Sequence, residues 1–259
     1  MRKFIFPAIA YIHYWLKKED LYSQQSSHIH AIYSGLLQYL KSQPDGDSEI
    51  EQVRNKLLSD TRIIEVNDLG AGSKKVSDPK RQVGKITRHC TSSAKYGALY
   101  QYFCALTPAT YVLELGTCMG IGTRYLAKVT QGNLWTIEGA AEIQRIAKES
   151  PLPGNVEFIT GDIHSLLPDL LADLPQLDFA LIDANHTLEG TLFAFQQCLK
   201  KIYSKSILAI GDIHWSEEME KAWDQIKHSP SVALTMDFYE CGIVFFEYSG
   251  PKSHLTLAV

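Results

Sequence analysis

The stretch Tyr111-Val112-Leu113-Glu114-Leu115-Gly116-Thr117-Cys118-Met119-Gly120-Ile121-Gly122-Thr123 contains the strongest structural signal of the sequence. A short apolar run with one acid predicts a buried strand, the glycines predict a tight turn, and residues 124–128 continue as a helix. A strand, a glycine turn and a helix in this order place free backbone N–H groups where open α/β sheets bind their ligands. Glycine lets the backbone turn sharply there without a Cβ clash.

Four later segments repeat the pattern of an apolar strand that ends in an acid. They are residues 134–138, 156–163, 177–183 and 206–212, and helix-length segments separate them. Parallel strands bring their carboxyl ends to one edge of a sheet. The sequence therefore predicts an α/β fold with a row of acids along one rim: Glu114 just before the turn, then Glu138, Asp162, Asp183 and Asp212.

The spacing of the glycine turn does not fit the dinucleotide fingerprint G-x-G-x-x-G, because Cys118 stands where the second glycine should be. The sequence Glu114-x-Gly116-x-x-x-Gly120-x-Gly122, with the strand series behind it, resembles the class I S-adenosylmethionine (SAM)-dependent methyltransferases. The resemblance spans about residues 90–248 and is closest to the catechol and caffeoyl-coenzyme A O-methyltransferase branch, in which Gly122 would be a serine. The chain also resembles a bacterial subfamily of uncharacterised class I methyltransferases.

The resemblance implies a Rossmann-like, seven-stranded, doubly wound sheet in the order 3-2-1-4-5-7-6, with the last strand antiparallel. We expect the SAM-binding domain at residues 93–259, a connecting loop or lid at 61–92, and an N-terminal helical extension at 1–60. Within that extension, Ser48 is predicted to cap a helix, with Glu51 completing a capping box. A second glycine motif, Asp68-Leu69-Gly70-Ala71-Gly72-Ser73, is not followed by a strand that ends in an acid, so we interpret it as part of the loop or lid.

SAM is the cofactor that the resemblance implies. The turn would hold its methionine end, Glu138 would accept hydrogen bonds from both ribose hydroxyls, and Asp162 with Ile163 would lie at the adenine. The catechol branch has a similar lead-in before the first strand, and the resemblance implies that Ser93 and Lys95 lie near the cofactor carboxylate. The alternative is an ordinary helix start with serine as the N-cap. The residues assigned to the cofactor are Glu114, Gly116, Gly120, Gly122, Glu138, Asp162, Ile163, Asp183, Ser93 and Lys95.

The candidate catalytic residues are His186, Asp183 and His214. His186 follows Asp183 by three residues, where catechol-type enzymes have a lysine, and imidazole suits proton abstraction near neutral pH. The alternative for His186 is that it leads into the next helix. His214 could be a second base or a ligand, and its alternative is packing beside Trp215.

The resemblance also suggests a site for a divalent metal ion, with Asp183 and Asp212 as its ligands. The Asp-Asn pair of the catechol branch has become Gly211-Asp212-Ile213, and two carboxylates are few for a hard cation. His186 and His214 could complete a site for a softer metal. The metal is therefore left out of the main hypothesis.

Composition limits the partners. The chain has 259 residues, 45% hydrophobic content and a net charge of −4, which disfavours a surface that follows nucleic-acid phosphates. The predicted function is SAM-dependent O-methylation of a small molecule. The alternatives are a non-catalytic SAM-binding module, methylation of a nitrogen or of a macromolecule, and an NAD-dependent oxidoreductase.

The N-terminus begins with basic residues and continues with an apolar run that contains Pro7 and His13 and ends at Lys17. This run is too short for a membrane span, so we expect an amphipathic helix that packs on the domain or on the partner of a homodimer, and no membrane partner. The five cysteines contain no C-x-x-C pair, which favours reduced thiols and a cytoplasmic location.

Overall fold

The structure is a computed structural model that describes residues 2–66, 78–152 and 154–259, with the backbone alone for residues 2–5. The alternative glycine motif at 68–73 lies outside the described residues. A central sheet is covered by helices on both faces, which confirms the predicted α/β, Rossmann-like architecture.

The helices alternate with the strands along most of the chain. The α-helices are α1 Arg2–Lys17, α2 Ser27–Ser42, α3 Ser48–Leu58, α4 Val83–Cys90, α5 Ala94–Ala105, α6 Ile121–Ala127, α7 Ala141–Ala147, α8 Ile163–Asp173, α9 Leu188–Leu199 and α10 Glu217–His228. The strands are β1 Ile63–Glu65, β2 Lys80–Gln82, β3 Tyr111–Leu115, β4 Asn133–Glu138, β5 Val156–Thr160, β6 Phe179–Ile182, β7 Ile207–Gly211, β8 Leu234–Asp237, β9 Cys241–Phe245 and β10 Ser253–Thr256.

Within the described residues, the large sheet has eight strands in the order β10-β8-β9-β7-β6-β3-β4-β5, and β9 runs antiparallel to both of its neighbours. Numbered from β3 and without β10, this order reads 3-2-1-4-5-7-6. The prediction of seven strands was wrong by one, because β10 pairs with the outer edge of β8. β10 has only four residues, and one of them has a large apolar side chain, so its sequence shows too little alternation of apolar and polar residues to predict a strand. The strand forms because it pairs with the edge of β8.

The segment predicted as a connecting loop or lid contains regular structure. β1 and β2 form a small antiparallel pair, and α4 follows directly. Val83 and Ile86 of α4 are buried with Ile50 of α3 and Ile121 of α6. The apolar face of α4 therefore packs on the core next to the glycine turn.

The strand residues alternate between two apolar layers. On β3, Val112 faces one layer with α2 and α5, and Leu113 faces the other layer with α8, α9 and α10. Both layers are fully buried, as expected for parallel strands that are covered on both faces. This burial fixes the register of the strands and thereby the position of the residues at their carboxyl ends.

The N-terminal helices pack on the same core. Tyr33 and Leu36 of α2 lie within the layer that α5 covers, and the Tyr33 hydroxyl donates to the carbonyl of Ala258. The cap of α3 differs from the prediction, because Asp47 accepts from the N–H groups of Glu49 and Ile50 while Ser48 is already helical. No helix within the described residues is long and apolar enough to cross a membrane.

Candidate functional site

The predicted row of acids lies along one rim of the sheet. β3, β4, β5, β6 and β7 are mutually parallel, so their carboxyl ends meet at the same edge. Glu138 ends β4, Asp162 follows β5 by two residues, Asp183 directly follows β6, and Asp212 directly follows β7. A crevice beyond the carboxyl ends of parallel strands is the usual ligand site of an open α/β sheet.

The glycine turn requires its glycines. Gly116 has a φ of 101°, and a Cβ there would lie 2.3 Å from the carbonyl oxygen of Asp183. Gly120 has a φ of 70° at the N-cap of α6. Between them, Cys118 also has a positive φ, of 46°. Because L side chains rarely adopt such backbone angles, the turn holds a strained conformation of the kind that occurs at ligand sites.

Glu114 lies beneath this turn and is 1% exposed. Its Oε2 accepts hydrogen bonds from the hydroxyls of Thr123 and Thr136, at 2.5 Å and 2.6 Å. Burial raises the pKa of this carboxyl to about 8, against the two hydroxyls that lower it. A Cβ at Gly122 would lie 2.8 Å from Oε1 of Glu114, so the glycine permits this close packing. Glu114 therefore supports the turn from below.

Glu138 is held in place by the backbone on both sides. Its Oε2 accepts from the N–H of Cys118 at 2.9 Å, and its Oε1 accepts from the N–H of Ala140 at 3.0 Å. These bonds tie the glycine turn to the end of β4. They fix a partly buried carboxylate beside the turn.

Asp162 and Ile163 lie at the start of α8. Asp162 is the N-cap, and its carboxylate accepts from the N–H and the hydroxyl of Ser165. Ile163 is the first residue of the helix and is partly exposed. The capping role orients the Asp162 side chain at the rim, one strand beyond Glu138.

The lead-in before β3 is the start of α5. Ser93 is the N-cap residue of this helix, although its side chain makes no capping hydrogen bond. Lys95 donates to the main-chain carbonyl of Val259, and its burial lowers its pKa. The neighbouring Ser92, which the sequence reasoning missed, hydrogen-bonds to the Asp183 side chain. The pair Ser92-Ser93 in the lead-in sequence is the signal from which Ser92 could have been predicted.

Three predicted site residues meet at the ends of β6 and β7. Atoms of Asp183, His186 and Asp212 that can bind a cation all lie within 4.8 Å of one another, and His186 Nε2 is 3.8 Å from Asp212 Oδ2. His186 and Asp212 both have positive φ angles, of 46° and 55°. We call these three residues the rim cluster. Two members of the rim cluster, His186 and Asp212, therefore lie on strained backbone.

Asp183 is a partly buried member of the rim cluster, as are His186 and Asp212. Burial and the charge of Asp212 raise the pKa of Asp183 to about 6, although His186 and the hydrogen bond from Ser92 act in the opposite direction. A Cβ at Gly211 would overlap the Asp183 carboxylate, so the end of β7 leaves room for it. This carboxyl can change its protonation state near neutral pH.

The structure does not bring His214 into the rim cluster. Its Nε2 lies 2.8 Å from Asp237 Oδ2, its Nδ1 lies 3.7 Å from Glu220 Oε1, and its ring stacks on Tyr239. Trp215 instead contacts His186, with ring centroids 5.8 Å apart. His214 thus faces away from the position that a catalytic base would need.

Comparison with known proteins agrees with this arrangement. Residues 113–213, which run from β3 past the end of β7, match the family described as "Methyltransferase domain". The match covers less than half of the chain, and it indicates a methyltransferase-type domain over the strands and the glycine turn that form the rim. No curated protein matches the chain by sequence.

Several solved structures have the same fold. The O-methyltransferase TomG from Streptomyces achromogenes, solved with SAM, is 19% identical with a TM-score of 0.52, over 62% of this chain and 83% of that chain. An O-methyltransferase from Bacillus cereus in complex with SAH is 18% identical with a TM-score of 0.55, over 77% and 91%. The SAH-bound methyltransferase PaMTH1 from Podospora anserina is 14% identical with a TM-score of 0.51, over 61% and 80%.

Proposed function

We propose that the protein is a SAM-dependent O-methyltransferase that acts on a small molecule. The observation that carries this proposal is the convergence of the glycine turn, the fixed Glu138 carboxylate and the rim cluster on one edge of the sheet. Two structural neighbours, TomG and the Bacillus cereus protein, are O-methyltransferases with SAM or SAH bound. The net charge of −4 supports a small acceptor over a nucleic acid.

In the proposed complex, Glu138 accepts hydrogen bonds from the ribose hydroxyls, and the backbone of Gly116 to Gly120 surrounds the methionine end. Asp162 and Ile163 lie at the adenine, while Ser93 and Lys95 lie on the side of the cofactor carboxylate. When bound, SAM supplies an electrophilic methyl group on a sulfonium. The residues of the protein then act by holding the acceptor oxygen in line with that methyl group, which accounts for most of the acceleration in such a transfer.

His186 is the proposed general base. A hydroxyl acceptor must lose its proton as its oxygen attacks, and an imidazole at the rim can take that proton. Asp183 and Asp212, the other members of the rim cluster, lie close to this imidazole. The Trp215 ring lies beside the imidazole, with the two ring centroids 5.8 Å apart.

A divalent cation is a second candidate occupant of the rim cluster. Two carboxylates and one imidazole fit such an ion, and the mutual repulsion that raises the Asp183 pKa would be relieved by it. Asp183, His186 and Asp212 would be the ligands. The chemistry that a cation supplies there is a lower proton affinity of an acceptor hydroxyl.

We further propose that residues 93–259 bind the cofactor, while the helices of residues 1–60 and the 61–92 segment shape the acceptor side. We also propose a cytoplasmic location, which the five free cysteines support. A homodimer through α1 is supported by its exposed stripe of Ile9, Ile12, Trp15 and Leu16, which are between 47% and 68% exposed. Light scattering on Trp15→Glu should then show a monomer where the unaltered protein is a dimer.

Cofactor binding is tested by calorimetry with SAH and with NAD. We expect SAH to bind and NAD not to bind, and Glu138→Gln to weaken SAH binding by roughly tenfold through the loss of charge-assisted hydrogen bonds. Glu157→Gln, an exposed glutamate on β5, is the matched control. Binding of NAD alone would overturn the proposal in favour of an oxidoreductase.

Catalysis is tested by SAH release with catechol and caffeic acid as hydroxyl acceptors. His186→Gln should lower kcat by about a hundredfold if His186 removes the proton. His30→Gln, at an exposed histidine of α2, should leave kcat unchanged. Titration with Mg²⁺, Mn²⁺ or Zn²⁺, repeated on Asp212→Asn, tests the cation. SAH binding without methyl transfer to any oxygen, nitrogen or macromolecular acceptor would favour a non-catalytic module.

A further inference from the structure

Thr136 is a polar residue in an apolar part of the sheet. It lies within β4 and is 0% exposed. In the parallel pair of β3 and β4 it lies opposite Glu114, so the two side chains point to the same face of the sheet. The neighbours on that face, Val112 and Leu134, are apolar core residues. Because a buried hydroxyl in such surroundings is costly unless it is hydrogen-bonded, the partners of Thr136 show what it does there.

A chain of hydrogen bonds runs from Glu114 through Thr136 to the glycine turn. The Thr136 hydroxyl donates to Glu114 Oε2 at 2.6 Å, and the hydroxyl oxygens of Thr136 and Thr117 are also 2.6 Å apart. A hydroxyl has one hydrogen to donate, and Thr136 gives it to Glu114, so Thr117 donates to Thr136. All three side chains are buried, which shields the chain of hydrogen bonds from water.

Thr117 is the residue on which the glycine turn closes. Its carbonyl accepts from the N–H of Gly120 at 2.8 Å. The residues on either side of it, Gly116 and Cys118, both have positive φ angles. Backbone of this kind persists only where the surrounding contacts hold it. The hydrogen bond to Thr136 therefore ties the closing residue of a strained turn to the interior of the sheet.

The turn also has anchors that do not involve Thr136. The N–H of Gly116 donates to the carbonyl of Ile137, and the N–H of Cys118 donates to the carboxylate of Glu138. These two bonds fix the general course of the turn whether or not Thr136 has a hydroxyl. Loss of that hydroxyl should therefore loosen the turn without unfolding the protein.

We propose that Thr136 is a positioning residue for the cofactor. Its hydroxyl joins Glu114 to Thr117 and holds the glycine turn in the conformation that receives the methionine end of SAM. This role rests on the proposed function, in which the backbone of Gly116 to Gly120 surrounds that end. Because Thr136 is fully buried, it acts through Thr117 and not by contact with the cofactor. A turn that is already held in the binding conformation loses less conformational freedom when the ligand binds.

Calorimetry with SAH on the full chain tests this role. Thr136→Val removes the hydroxyl but keeps a side chain of similar shape, and it should weaken SAH binding by roughly tenfold. Thr136→Ser keeps the hydroxyl and should retain most of the affinity. Thr117→Val should weaken SAH binding by a similar factor to Thr136→Val. The double variant should bind SAH no more weakly than Thr136→Val alone, because both changes break the same contact.

Thr235→Val is the matched control. Thr235 is a threonine of β8 that is 1% exposed, and its hydroxyl is hydrogen-bonded to the His254 ring. The strands β9, β7 and β6 separate β8 from β3 and the glycine turn. Urea unfolding should show that Thr235→Val and Thr136→Val both lower the free energy of unfolding, because each removes a buried hydrogen bond. Only Thr136→Val should weaken SAH binding.

The outcomes distinguish this role from the proposed function. If the unaltered protein binds SAH and Thr136→Val binds it equally well, the role of Thr136 is overturned and the proposed function stands. An equal loss of SAH affinity in Thr235→Val would also overturn the role, since the effect would then follow from lower stability alone. If the unaltered protein does not bind SAH, the proposed function fails and the role of Thr136 fails with it.

Discussion

Replacement of Glu114 by glutamine should change how the stability of the protein depends on pH. The folded protein raises the pKa of the Glu114 carboxyl from 4.5 to about 8, because its burial disfavours the charged form. Below pH 4.5 the carboxyl is neutral in both the folded and the unfolded chain. As the pH rises toward 8, the unfolded chain ionises and gains stability relative to the folded one.

The size of the effect follows from the pKa values. The rise from 4.5 to about 8 corresponds to ~5 kcal/mol of unfolding free energy, since each tenfold change in proton affinity is worth about 1.4 kcal/mol. This stability is present below pH 4.5 and is lost as the pH rises through about 8. Glutamine keeps an oxygen that can accept from the Thr123 and Thr136 hydroxyls but has no charge to bury.

Urea unfolding measures the difference in unfolding free energy between Glu114→Gln and the unaltered protein. It is followed by circular dichroism at several pH values between 4.5 and about 8. We expect Glu114→Gln to match the unaltered protein in acid and to exceed it progressively up to pH 8. Glu157→Gln, at an exposed position of β5, should run parallel to the unaltered protein throughout. A difference between Glu114→Gln and the unaltered protein that does not change with pH would refute the reasoning.

Four other substitutions test the construction of the site and its surroundings. Gly116→Ala should lower the melting temperature and abolish SAH binding, because a Cβ there would lie 2.3 Å from the Asp183 carbonyl; calorimetry and thermal melting measure both. Asp212→Asn should lower the pKa of Asp183, since the charge of Asp212 raises that pKa. Carbon NMR of the Asp183 carboxyl measures the pKa, and an unchanged value would contradict this prediction. Asp47→Ala should lower the free energy of unfolding by about 1 kcal/mol, because the helix cap is lost, and Ser48→Ala should lower it much less. Urea unfolding measures both changes. Equal losses for the two variants would contradict the assignment of the cap to Asp47.

Much of the fold could be read from local patterns. The apolar runs at β3 to β7 are long, separated by helix-length segments and followed by acids, and each of these features is a property of neighbouring residues. The glycine turn was equally visible, because positive φ angles at Gly116 and Gly120 leave little choice of residue. The matched segment 113–213 covers these elements.

The rest depended on contacts between residues far apart in the chain. β10 is too short to predict and forms because β8 offers it an edge. The cap of α3 falls on Asp47, where the Lys128 side chain also reaches that carboxylate. The position of Ser92 against Asp183 likewise joins two segments about ninety residues apart.

The two histidines show the division between sequence and tertiary structure most clearly. The sequence by itself determined that His186 and His214 would follow strands β6 and β7 at the ligand edge of the sheet, since strand ends set that position. Only the tertiary structure decided which neighbours the rings meet: Trp215 contacts His186, whereas Asp237 and Tyr239 contact His214. A side chain beyond the end of a strand is free to rotate until its neighbours restrict it, and those neighbours direct His186 toward Asp183 and Asp212 but hold His214 against Asp237 and Tyr239.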